Sequence, residues 1–134
     1  MSDLREYISQ VKKIKELKTI KSKVSTKYEI AGVTAKVDQS HAVLFENIKE
    51  SDFRLVSNLV GTRKRFALAV GGTENNIHQK VISAIKNAKT PKIIPTGKFM
   101  ENKSKNINSM PIVTHFEKES GPFITSSVAY AKNP

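Results

Sequence analysis

Imidazole can ligate a metal or carry a proton at neutral pH, so His41, His78 and His115 are the first side chains to weigh. None has a second histidine four residues away and none sits in an H-E-x-x-H pattern. Their spacing therefore reads as structural or solvent-facing, although distant positions can converge on a metal. Ser126 and Ser127 could act as nucleophiles, but no G-x-S-x-G elbow surrounds them. Glu117 and Glu119, with Asp38 and Asp52, supply carboxylates at no spacing that assigns one as acid and another as base. Gly61-Thr62-Arg63-Lys64-Arg65 leads into an expected helix, whose N–H groups could hold an anion. It lacks the G-x-x-x-x-G-K-[ST] pattern, and Gly71-Gly72-Thr73 follows a helix rather than a strand, so both read as turns.

The elements that would position these groups are legible in the periodicity. Asp3 and Glu6 stand at capping-box spacing before an apolar stripe of Leu4, Tyr7, Ile8, Val11 and Ile14, which predicts an amphipathic helix. Residues 17–24 alternate as a strand. Thr26 and Glu29 repeat the capping spacing ahead of a second helix that turns Ile30, Val33 and Val37 inward. Residues 41–45 and 53–59 read as apolar strands separated by the polar break Lys49-Glu50-Ser51-Asp52. A short helix follows over 63–70 and ends at Gly71-Gly72, since glycine tolerates the left-handed cap. Thr73 is the expected cap of a further helix on which Ile77, Val81, Ile85 and Ala88 share a face. After a polar, proline-punctuated link, residues 111–116 and 121–134 read as two strands across an acidic turn.

Composition narrows the class. The 38% apolar content supports a folded core, and no run of about 18 apolar residues suggests a membrane helix. There is no cysteine, which excludes disulfides and thiolate metal sites and fits a reducing, cytoplasmic setting. The net charge of +11 comes mostly from Lys, with Arg5, Arg54, Arg63 and Arg65 the only arginines. Base and phosphate recognition favours the arginine fork, and aromatic residues for stacking are few. Nucleic acid is thus disfavoured, and the lysines, including six between positions 12 and 23, read as solvated faces.

The order of several phrases carries more than any one of them. Asp3-Leu4-Arg5-Glu6, Leu44-Phe45-Glu46-Asn47, Asn58-Leu59-Val60-Gly61 with Arg65, Pro111-Ile112-Val113-Thr114-His115, and Gly121-Pro122-Phe123-Ile124-Thr125 occur in sequence. Together they resemble the N-terminal third of the UbiD family of decarboxylases. The resemblance implies an α/β (α+β) protein: a mixed α/β domain over residues 1–110, then the first strands of a split, FMN-binding β-barrel over 111–134. In the family a further strand follows this point and supplies a metal-ligating Asn. The resemblance therefore implies an N-terminal fragment that ends before the metal ligands and catalytic carboxylates.

For the parent enzyme the resemblance implies removal of CO2 from an aromatic or α,β-unsaturated acid, such as a polyprenyl-hydroxybenzoate or anhydromevalonate phosphate. Prenylated FMN accepts the electrons, with Mn2+ and a monovalent cation bridging its phosphate to the protein. The fragment itself is expected to bind none of these and to be inactive. Thr125 matches a family position near the flavin, so its hydroxyl is a candidate cofactor contact; a threonine is also a good strand former there. Arg63 and Arg65 read as surface or interdomain contacts. The family's members are homo-oligomers acting on small carboxylic acids. Two other readings stay open: a stand-alone basic module for a polyanion, and the non-catalytic subunit of a split decarboxylase.

Overall fold

Asp3 accepts the Glu6 amide at 2.8 Å and starts α1, Leu4–Lys13, whose Tyr7 and Val11 are buried. The computed structural model describes residues 3–90, 94–97, 100–103 and 105–124. Strand β1 (Leu17–Ile20) follows, then α2 (Glu29–Lys36), β2 (Ala42–Phe45), β3 (Leu55–Ser57), α3 (Arg63–Ala69) and α4 (Ile77–Lys86), with a 3-10 turn at Ile107–Ser109. The sheet runs β1-β2-β3: β1 pairs with β2 in parallel, Leu17 opposite Ala42 to Ile20 opposite Phe45, and β3 adds to β2 antiparallel. The mixed α/β class read from the sequence is what is found, with strands shorter than the alternation suggested.

The central strand explains the core. Val43 and Phe45 point into a cluster with Val24, Ile30 and Ile48, whereas Ala42 meets Tyr7 and Val11 of α1. A strand covered on both faces needs an unbroken apolar run, and Ala-Val-Leu-Phe supplies it. α2 departs from its expected start. Its N-cap is Tyr28 at φ 69° with no side-chain cap, and Glu29 accepts the Ser25 amide at 2.6 Å instead of boxing with Thr26. α4 begins after Asn76, whose Oδ1 takes the Thr73 amide at 2.7 Å, so Thr73 precedes the helix rather than capping it. Of the face shared by Ile77, Val81, Ile85 and Ala88 only Ile77 is buried, and Ile85 is 73% exposed, because no described element covers the rest.

Arg65, read from sequence as a surface or interdomain contact, has no solvent exposure at all. Its Nε donates to the Leu59 carbonyl at 3.2 Å, and its Nη1 donates to the Ser40 carbonyl at 3.0 Å and to Glu16 Oε2 at 3.1 Å. Lys64 binds the other Glu16 oxygen at 2.7 Å. The Tyr7 hydroxyl proton lies between the carbonyls of Arg65, 2.8 Å away, and Leu59, 3.0 Å away. Burial pushes the Tyr7 hydroxyl above its ordinary value, with the Arg65 guanidinium pulling the other way. The hydrogen bond from Lys64 holds the Glu16 carboxyl below its ordinary value, and Arg65 adds to the effect.

Removing one member of a buried, hydrogen-bonded charge cluster leaves stranded polar groups. Arg65→Met should lower unfolding free energy by about 3 kcal/mol in urea titration, and Tyr7→Phe by about 1 kcal/mol. Arg65→Lys should recover only part, because an ammonium lacks the fork. A depressed carboxyl contributes stability that is present above the ordinary value and lost as pH falls through the folded value. Glu16→Gln should therefore flatten the loss of stability on acidification; an unchanged acid profile would show that Glu16 does not carry it.

Candidate functional site at the strand ends

The carboxyl ends of β1 and β2 lie side by side, the usual place for function in sheets with parallel strands. Beyond them the loops stay paired: Val24 donates to the Asn47 carbonyl at 3.1 Å, Lys49 donates to the Val24 carbonyl at 2.8 Å, and Val24 bridges Ile48 in parallel. The Asn47 side chain donates to the Lys21 carbonyl at 2.7 Å, which gives the asparagine of Leu-Phe-Glu-Asn a positioning job. A cleft of about 290 Å³ opens here between Lys21, Lys23, Glu46, Asn47, Ser51 and Asp52. Its mixture of lysines and carboxylates is polar and solvated, and no nucleophile is paired with a base in it.

The loop before α2 follows Val24 directly and is held through its backbone amides. Four successive amides, Ser25 to Tyr28, all find acceptors. Ser25 donates to Glu29 Oε2 at 2.6 Å, Thr26 to Glu50 Oε2 at 2.9 Å, and Lys27 to the Ser25 hydroxyl at 3.0 Å. Tyr28 donates to the Thr114 carbonyl at 3.1 Å, and the Thr114 amide returns to the Thr26 carbonyl at 3.1 Å. The Ser25 hydroxyl itself donates to Glu50 Oε1 at 2.5 Å, and Lys49 bridges to Glu29 at 2.8 Å. For Glu29, the Lys49 hydrogen bond first and the Ser25 amide second hold the carboxyl below its ordinary value. Burial opposes ionisation of Glu50, but hydrogen bonds from Ser25 and Thr26 outweigh it and bring that carboxyl below its ordinary value too.

Against this loop docks the segment expected to be a strand. Pairing is confined to Thr114, bridged to Lys27, while Val113 packs on the Phe45 cluster and the Ser51 hydroxyl donates to the Ser109 carbonyl at 2.6 Å. Glu119, its side chain 9% exposed, closes the following turn by accepting the His115 amide at 2.7 Å, and its other oxygen lies 3.7 Å from His115 Nδ1. The His115 ring stands 5.6 Å from that of Phe123. Ile124 is half exposed. Thr125, Ser126, Ser127 and the rest of the second expected strand lie outside the described residues.

The three histidines are not brought together. His41 opens onto β2, His78 lies on α4 and His115 on the docked segment. Among the described residues no group of three or more His, Cys, Asp or Glu side chains could hold a metal. Arg63 is exposed and donates to the Glu74 carbonyl at 3.0 Å. The Asn-Leu-x-Gly-x-x-x-Arg phrase proves architectural. Asn58, at φ 55°, donates to the carbonyls of Asp38 and His41, and a Cβ on Gly61 would fall 1.7 Å from Asn58 Oδ1. Ser25, Glu50 and Ser51 belong to no motif, and sequence reasoning does not single them out; a polar break beside an apolar strand is their only trace.

Residues 8–85, more than half of the chain, match the family model of the 3-octaprenyl-4-hydroxybenzoate carboxy-lyase N-terminal domain. Anhydromevalonate phosphate decarboxylase of Methanothermobacter thermautotrophicus is 28% identical over 133 residues, covering 98% of this chain and 30% of that protein. A 4-hydroxybenzoate decarboxylase component from Chlamydia pneumoniae is 27% identical, over all of this chain and 27% of its own length. Among solved structures, the UbiD-class enzyme HmfF of Pelotomaculum thermopropionicum in complex with FMN superposes with a TM-score of 0.80 at 27% identity, covering 89% of this chain and 28% of that one. An evolved dimeric form of HmfF in complex with prFMN gives a TM-score of 0.79 at 26% identity over 91% of this chain and 30% of that one. The chain thus spans about 30% of the length of the curated relatives it matches. It is a member of the UbiD family of carboxy-lyases, and the matched region is that family's N-terminal domain.

Proposed function

We propose that this chain is the front portion of a prenylated-FMN-dependent decarboxylase that removes CO2 from an aromatic or α,β-unsaturated acid. The observation that carries the reading is the ordered set of family phrases from Asp3 to Thr125 on the N-terminal fold of UbiD-class enzymes. In this reading residues 1–110 are the N-terminal α/β domain and 111–134 begin the split β-barrel. A polyprenyl-hydroxybenzoate is one candidate substrate; the methanogen relative's activity makes anhydromevalonate phosphate another. The whole enzyme is a cytoplasmic homo-oligomer that uses prenylated FMN, Mn2+ and a monovalent cation. No helix among the described residues is long and apolar enough to cross a membrane.

Loss of CO2 from an sp2 carbon leaves a carbanion that water does not stabilise, and prenylated FMN supplies the electron sink when bound. In this reading the hydroxyl of Thr125 is our candidate for a contact to cofactor or substrate. The +11 charge favours one second reading, a basic module for a polyanion. Binding of that kind should fade steeply as salt rises.

Three measurements separate these readings. The chain alone, given prenylated FMN, Mn2+ and either acid, should release no CO2; turnover would overturn the front-portion reading. Joined to the barrel and C-terminal portions of a family enzyme, it should support CO2 release, and Thr125→Val in that full-length protein should lower cofactor occupancy or turnover at least tenfold. Unchanged values would remove Thr125 from the site. A gel shift with duplex and single-stranded DNA at low salt should show no complex, and a salt-sensitive complex would favour the polyanion reading instead.

A further inference from the structure

Thr114 docks in one register, pairing with Lys27, and the alternation of side chains does not by itself select that register. A slip of one residue would turn Val113 away from the Phe45 cluster, but a slip of two keeps every side chain on its own face. In the slipped register Thr114 would pair with Ser25, its amide donating to the Val24 carbonyl and its carbonyl accepting from the Thr26 amide. Both of those groups are already engaged, and the Thr26 amide has no second proton to give. The Val24 carbonyl accepts the Lys49 amide at 2.8 Å, and the Thr26 amide donates to Glu50 Oε2 at 2.9 Å. Two adjacent residues, Lys49 through its backbone and Glu50 through its side chain, thereby occupy the alternative site. Glu50 also orients the Ser25 hydroxyl, which in turn takes the Lys27 amide. The first donor left for the incoming carbonyl is the Tyr28 amide.

We propose that Glu50 is a positioning residue: by occupying the Thr26 amide it fixes the register in which residues 111–115 dock, and with it the placement of the Gly121–Ile124 segment that follows. The consequence for catalysis rests on the decarboxylase reading above; the register itself does not. Glu50 touches no reacting atom in this scheme and acts through Thr26 and Thr114.

Amide hydrogen exchange by NMR on the full 134-residue chain tests it, with Thr114 and Tyr28 as reporters. Ala42 is the control, because its amide donates to the Glu16 carbonyl at 2.9 Å in the other core cluster. Losing a charge-assisted hydrogen bond should cost Thr114 and Tyr28 about tenfold or more in protection in Glu50→Ala, with Ala42 unchanged. A new contact between Thr114 and Ser25 in the nuclear Overhauser spectrum should mark the slipped register. Glu50→Gln keeps an oxygen for the Thr26 amide and should stay within about threefold of the parent. Unchanged Thr114 protection in Glu50→Ala would overturn the proposal. So would a parallel fall at Ala42, which marks a merely stabilising role, or a Gln variant as impaired as the Ala variant. Each outcome reads the register alone, so CO2 release by the isolated chain would sink the functional reading and leave this one standing.

Discussion

A guanidinium cannot be put inside a protein without providing acceptors for it, and the fold around Arg65 is arranged by that requirement. The acceptors come from three directions: the end of the loop after α1 (Glu16), the turn before β2 (Ser40) and the loop after β3 (Leu59). Three segments distant in sequence are thereby drawn to one point. Tyr7 brings α1 to the same point by donating to the Arg65 and Leu59 carbonyls. With α1 and the loop before α3 tied together, β2 is confined between them and α2, and its carboxyl end is left facing the opposite way. The charge cluster thus occupies one end of the sheet and the docking loops the other.

That second end works by a different rule. Its groups are half solvated, and what matters is that acceptors and donors are matched in order along the chain. Two carboxylates, Glu29 and Glu50, serve the Ser25 and Thr26 amides in the loop that leads into α2. The tail is recognised by main-chain pairing and by one apolar side chain, Val113. A segment held this way is indifferent to most of its own sequence. This accounts for why the strand expected over 111–116 contributes only one bridged residue.

Much of the fold is legible in the sequence because it follows from local rules. The Asp3 cap, the α1 stripe, the Ala42–Phe45 run and the Gly71 stop, at φ 65°, each depend on neighbours a few residues away. What the sequence conceals depends on distant ones. Arg65 looks like any basic residue at a helix start until Glu16 and Ser40 arrive, 49 and 25 residues earlier in the chain. Glu29 has the spacing of a capping box with Thr26, yet the Thr26 amide goes to Glu50 and Glu29 takes the Ser25 amide instead. Glu50 has no periodicity to betray it. The family phrases are readable as a set, and the structure gives several of them architectural reasons: Asn58, Gly61 and Arg65 form one interlocked corner.

Helix α4 is tethered at one end only. Ile77 sits in the core, while each of the nine residues after it is exposed. A ten-residue helix in water scarcely holds itself together, since the entropy of its first turn is recovered only over a longer stretch. Its backbone should therefore unwind and rewind from the carboxyl end at a free energy far below that of the domain, a zipper with one fixed tooth. Any surface that came to rest on Val81 and Ile85 would have to clasp a helix and form one in the same step.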